Sequence, residues 1–228
     1  ELDVNNNHNN KMYSNNITTS GTSSYGIKID SNTDNNSIYN NNIRTGNSDG
    51  RGIEILSSVN NSIYSNSITT LGIRGYGLFV SNTILSFIYN NNITTSNRSS
   101  YGIYLSQTVK RNTFYDNNIT TNNATSSYGI YLSNRIDNIS FYRNRISSLA
   151  AGIVANGSGS ITPRTVQGIN FTNDTIVPCI TGCNANYQDV ILTSNATDIT
   201  FTNVSMNKSR IAFVASSPDA PVEKNNLT

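Results

Sequence analysis

Along this chain the apolar residues come in short phrases in which core-type and polar positions alternate, the period-2 signature of a strand with one covered face. A helical 3.6-residue stripe is absent. One phrase runs Met12-Tyr13-Ser14-Asn15-Asn16-Ile17, then Ile38-Tyr39-Asn40-Asn41-Asn42-Ile43, Ile63-Tyr64-Ser65-Asn66-Ser67-Ile68, Ile88-Tyr89-Asn90-Asn91-Asn92-Ile93, Phe114-Tyr115-Asp116-Asn117-Asn118-Ile119 and Phe141-Tyr142-Arg143-Asn144-Arg145-Ile146. Successive first positions differ by 26, 25, 25, 26 and 27 residues, and looser copies begin at Phe171 and Phe201 after gaps of 30. A second phrase, Tyr-Gly-apolar-x-apolar, falls between them at Tyr25, Tyr76, Tyr101 and Tyr128. The Ile bias and the Gly and Asn punctuation fit short strands joined by turns.

Repetition at a fixed period of this length marks a solenoid, because stacking equivalent coils in register puts like beside like. An antiparallel sandwich would not need the repeat. The predicted fold is therefore all-β: a right-handed, single-stranded parallel β-helix with coils of about 25 residues. Four inward columns follow, headed by Ile27, Ile29, Met12 and Ile17. The column Asn15, Asn41, Asn66, Asn91, Asn117 and Asn144 stands two residues before an inward Ile, at a bend where the side chain turns inward. Amides stacked at strand spacing donate and accept along the axis, so this column is predicted to be an asparagine ladder. Its continuation reads Asp174 and Val204, where the ladder is expected to end. Residues 1–155 are assigned to regular coils, 156–215 to longer irregular coils, and 216–228 to a linker or departing tail. A regular coil that begins at Glu1 with no cap ahead of it predicts a fragment of a longer protein.

Twelve of the thirteen tyrosines occupy coil-repeated positions, and Tyr187 stands apart. Stacking along the helix explains most of them. Phe79, Tyr104 and Tyr131 form the strongest candidate for an aromatic platform that stacks on sugar rings. Two adjacent Thr ranks, headed by Thr18 and Thr19, send their hydroxyls to opposite sides, which argues against a flat ice-binding face.

Composition narrows the function classes. Only 12% of residues are charged and the formal net charge is +2, so no basic stripe exists to neutralise phosphates and nucleic acid is not an expected partner. No apolar run is long enough to insert in a membrane. His8 is the sole histidine, and no metal or other cofactor is expected. Cys179 and Cys183 flank Ile-Thr-Gly and are placed to close a small disulfide loop in an oxidising compartment. Sequons occur at Asn16, Asn35, Asn60, Asn92, Asn97, Asn118, Asn123, Asn138, Asn156, Asn170, Asn173, Asn195, Asn203, Asn207 and Asn226, and are candidate glycan attachment points if the chain is exported.

Among the carboxylates the best cluster is Asp30 with Glu54 and Lys28 on neighbouring coils, read as a solvated Lys28–Glu54 ion pair. The remaining acids scatter among turns, and no nucleophile phrase such as Gly-x-Ser-x-Gly is present. No catalytic residue is assigned.

The phrase Tyr-Gly-Ile-Tyr-Leu-Ser followed by Asn-x-Ile-Tyr-Asn-Asn-Asn-Ile-Thr resembles the parallel β-helix repeat of NosD-like and pectin-lyase-like proteins, especially repeats of archaeal surface (S-layer-associated) proteins. The resemblance covers residues 1 to about 155 and implies export and a place in the cell envelope or in contact with polysaccharide. With one His and two Met, the chain lacks ligands for copper handling. The expectation is an extracellular, glycosylated structural or adhesive surface module without enzymatic activity, partnered by polysaccharide, by copies of itself or by other envelope proteins. A carbohydrate-binding module and a polysaccharide lyase or glycoside hydrolase are the alternatives.

Overall fold

The computed structural model describes residues 2–5, 8–123, 125–157, 165–177, 179, 188–193, 195–206, 211–214 and 226–227, with the backbone alone at 2–5, 211–214 and 226–227. Every strand pair among them is parallel and no helix occurs. Each regular coil contributes one strand to each of three sheets. The first sheet takes the Tyr-Gly phrases, in strands such as Tyr25–Asp30, Arg51–Leu56, Tyr76–Ser81, Ile103–Ser106 and Tyr128–Ser133. The second carries the Ile-Tyr segments, for example Ser37–Tyr39, Thr113–Tyr115, Ile136–Tyr142 and Val166–Thr172. The third holds Asn16–Thr19, Asn92–Thr95, Asn118–Thr121 and their equivalents. This is the parallel β-helix that the repeat predicts.

The register is like on like. Ile93 pairs with Ile68 and Ile119, and Ile103 pairs with Leu78 and Ile130. These side chains are fully buried and make one continuous core. Full burial of such an aliphatic side chain contributes about 1.5–3 kcal/mol, and ordering the chain opposes it. In the second sheet the aliphatics give way to Phe114, Phe141, Phe171 and Phe201, whose rings stack inside the core at 4.8, 4.7 and 5.0 Å.

The glycine of each Tyr-Gly phrase is a packing requirement. Gly26, Gly52, Gly77, Gly102, Gly129 and Gly152 face inward, and a Cβ at Gly77 would lie 2.2 Å from Ile93 Cγ2 and 2.6 Å from the Gly102 carbonyl oxygen. Because Gly and the following Ile both face in, the Tyr before them and the residue after them both face out. Each coil therefore presents two outward ranks on the first sheet.

The asparagine ladder forms as expected. The side-chain amides of Asn15, Asn41, Asn66, Asn91 and Asn117 each donate to the next Asn carbonyl at 2.9–3.0 Å, and the backbone amides donate to the same oxygens at 3.0–3.1 Å. The residue before each rung, such as Asn40, Asn90 or Arg143, takes a left-handed φ near 55°, which turns the following side chain inward. Asp174 accepts from Asn144 as one further rung, and the column ends there because Val204 at the next position has no side-chain acceptor.

A second ladder, not read from the sequence, sits five residues earlier in each coil. Asn10 and Asn36 donate to Asn36 and Asn61, Asn61 donates to the Ser86 hydroxyl, and Ser86 donates to Asn112. It is replaced further on by Ile139, Ile169 and Ile199, each fully buried. The Thr19, Thr45, Thr70, Thr95 and Thr121 rank faces the interior, whereas Thr18 faces out, so the two Thr ranks divide as adjacent residues of a strand must.

Candidate functional site

The outward face of the first sheet gathers the most varied chemistry. One rank runs Lys28, Glu54, Phe79, Tyr104, Tyr131 and Val154, each paired in register with the next. The other contains Tyr25, Arg51, Tyr76, Tyr101 and Tyr128. In the second rank Tyr76, Tyr101 and Tyr128 stack at 5.1 and 5.3 Å. Tyr104 turns across them, edge-on to Tyr76, Phe79 and Tyr101 at 5.1–5.4 Å. Tyr131 completes the patch 4.7 Å from Tyr101 and 5.2 Å from Tyr104, with its hydroxyl accepting from Asn156 at 2.8 Å. All of these rings are partly buried. Mutual packing raises the pKa of Tyr76, Tyr101 and Tyr131, chiefly by desolvation, so the phenols stay neutral over the working pH range.

The structure thus brings together the expected Phe79, Tyr104 and Tyr131, and adds Tyr76, Tyr101 and Tyr128. A charged cluster borders the patch. Arg51 substitutes for a tyrosine in its rank, bonds the Glu54 carboxylate, and sets its guanidinium 4.0 Å from the Phe79 ring centroid. Glu54 is 2% exposed, and burial raises its pKa against the lowering influence of Arg51. The expected solvated Lys28–Glu54 pair is corrected here: Lys28 and Glu54 are neighbours in register, but the Lys28 ammonium lies 2.6 Å from Asp30 and Glu54 is tied to Arg51. Asp30 is held below its ordinary pKa by that bond. The signal for Arg51 was legible, because aligning the coils puts it in the Tyr25–Tyr76 rank.

The sequons fall in three settings. Asn16, Asn35, Asn60, Asn92, Asn118, Asn138, Asn170, Asn173 and Asn203 are exposed. Within that group Asn60 bonds Asn35, Asn118 bonds Asn92, and Asn203 bonds Asn173 at 2.7–2.9 Å, so glycans on both members of a pair would compete for one strand spacing. Asn97, Asn123, Asn156 and Asn195 are partly buried; Asn97 donates to the Leu71 carbonyl and Asn156 accepts from Thr193. Asn207 lies outside the described residues, as does the side chain of Asn226. Cys179 is buried and disulfide-bonded, while Cys183 lies outside the described residues. Among the described residues no group of three or more His, Cys, Asp or Glu is arranged to hold a metal ion, and no helix is long and apolar enough to cross a membrane.

No protein-family model matches this sequence, and no curated protein matches it. Two solved structures are similar in fold. The A-module of the Azotobacter vinelandii mannuronan C-5 epimerase AlgE4 is 10% identical with a TM-score of 0.45, over 93% of this chain and 80% of that one. DFA-IIIase from Arthrobacter chlorophenolicus A6, solved in complex with GF2, is 14% identical with a TM-score of 0.37, over 86% of this chain and 60% of that one. Both are named as enzymes, against the expectation of a chain without enzymatic activity. At these identities the likeness concerns the fold, and the chain is assigned to β-helix proteins on its own register and ladders.

Proposed function

We propose that this protein binds polysaccharide along the outward face of its first sheet. The observation that carries this reading is the contiguous patch of Tyr76, Phe79, Tyr101, Tyr104, Tyr128 and Tyr131 on adjacent coils, with Arg51 and Glu54 at its border. Aromatic rings held rigid by one another offer apolar area to the C–H faces of sugars at small entropic cost. An extracellular setting, which the resemblance to archaeal surface-protein repeats implies, is supported by the disulfide at Cys179. A panel of soluble polysaccharides screened by affinity electrophoresis tests the reading. Phe79→Ala and Tyr131→Ala are each expected to weaken the retarded member at least tenfold, and unchanged migration of both variants rules the face out.

A second reading rests on Glu54. A buried carboxyl whose pKa is raised, fixed by an arginine beside an open aromatic surface, has the properties of a general acid in polysaccharide cleavage. Release of reducing ends or unsaturated uronate, abolished by Glu54→Gln with binding retained, is the expected result. Equal release by the variant removes Glu54 from this role.

A further inference from the structure

We propose that the open end of the tyrosine stack on the second sheet is a separate subsite for the pyranose ring of a neutral saccharide, seated on the face of Tyr142 above Thr172. Tyr13, Tyr39, Tyr64, Tyr89, Tyr115 and Tyr142 stack at centroid distances of 5.0, 4.8, 4.8, 4.7 and 4.8 Å, with rings within 6° of parallel. In register, the next two positions are Thr172 and Thr202. The stack stops because a threonine stands where the seventh ring would be, and one face of Tyr142 has no aromatic neighbour on that side.

A cleft of about 480 Å³ opens at this step, bounded by Thr113, Ser140, Tyr142, Asn170, Thr172 and Asn173, together with Phe141. That volume falls in the range of about 300–1,000 Å³ typical of small-ligand sites. Its walls supply hydroxyls and amides and no charged side chain. Arg143 sets its guanidinium over the Tyr142 ring at 4.7 Å from the centroid and is neutralised by two 2.8 Å bonds to Asp116. An anionic sugar therefore finds no counter-charge among the lining residues, whereas a neutral one finds an aromatic ring and hydrogen-bonding rims. Phe87, 43% exposed, pairs with Thr113 and extends the bordering rank with a second apolar ring. A sugar ring takes the position that the repeat leaves vacant, at the thickness the other rings already keep.

The test uses full-length chain produced without glycosylation, with cellotetraose as probe, read by saturation-transfer NMR and titration calorimetry. Thr172→Tyr supplies the missing ring: it is expected to raise Tm or leave it unchanged while weakening cellotetraose binding at least tenfold. Tyr142→Ala is expected to weaken it similarly. In a Phe79→Ala/Tyr131→Ala background, where the first-sheet face is disabled, cellotetraose binding is expected to persist and to be lost on adding Thr172→Tyr, so this subsite and the first-sheet face fail independently. Absence of binding to the wild-type chain, binding that survives Thr172→Tyr in that background, or binding lost only with Phe79→Ala overturns the proposal. So does a chain from a glycosylating host in which a glycan on Asn170 itself occupies Tyr142, since the occupant is then the protein's own sugar.

Discussion

Asn144 directs both its backbone amide and its side-chain amide at one oxygen of Asp174, at 2.7 and 2.9 Å, and the other carboxylate oxygen accepts the Thr172 amide at 3.1 Å. An acid thus occupies a rung built for an amide. It is 1% exposed, and burial pushes its pKa up to about 6 from the ordinary 3.8, against the lowering effect of those three bonds.

The consequence is a pH-dependent stability. The folded state holds the proton more tightly than the unfolded chain, so stability is greatest below about pH 4 and falls as pH rises through about 6. The loss is roughly 3 kcal/mol, at about 1.4 kcal/mol per pKa unit, and is complete above that. Asp174→Asn is expected to abolish this dependence and to be the more stable protein at pH 7.5. Urea midpoints at pH 4.5 and 7.5 for both chains check it. The half-buried Asp49 and Asp116, whose arginine partners lower their pKa, act in the opposite sense and only at more acidic pH.

Gly77 and Gly46 differ in the space around them. An added methyl at Gly77 collides with Ile93 Cγ2 at 2.2 Å, whereas at Gly46 it meets the Thr19 carbonyl at an ordinary 3.5 Å. Gly77→Ala is expected to cost about 3 kcal/mol, toward the upper end for overpacking, and Gly46→Ala to stay within about 0.5 kcal/mol of wild type. Thermal denaturation of the two variants decides this.

The two ladders respond oppositely to substitution. Asn91→Ala strips the Asn66 amides of their acceptor and frees the Ile63 carbonyl inside the core, for an expected loss of about 3 kcal/mol. Ser86 is the short rung of the second ladder, reached from Asn61 at 3.2 Å. Ser86→Asn completes that column and is expected to gain about 1 kcal/mol, measured as a shift in denaturation midpoint.

Arg51→Ala leaves Glu54 buried without its ion partner. The Glu54 pKa, already raised, is expected to rise further, and stability at neutral pH to fall by about 3 kcal/mol. Adding Glu54→Gln removes the stranded charge and recovers part of the loss. Side-chain carboxyl NMR titration and denaturation of the single and double variants provide the two readouts.

Much of the fold was legible because a solenoid repeats its solution in every coil. The Ile93 and Ile103 columns, the Asn91 ladder and the Tyr89 stack each follow from one phrase and one period. The second ladder had the same period but was interrupted by Ser86 and ended by Ile139, so it lacked a uniform residue to mark it. Of the proposed binding face, Phe79, Tyr104 and Tyr131 were visible by their positions in the repeat. The burial of Glu54 was not, because it depends on which side chains of the neighbouring coils pack against it.

What the sequence determined alone is the coil: its length, its inward and outward positions, and the need for like to stack on like, since those follow from periodicity and from the demand that buried amides find partners. What the tertiary structure decided is chemistry that crosses coils at non-equivalent positions. Lys28 turned to Asp30 rather than Glu54, Asp174 became a rung, and Tyr142 kept one ring face without an aromatic neighbour above Thr172. Such pairings are set by rotamer, burial and the spacing between strands, which no single repeat unit contains.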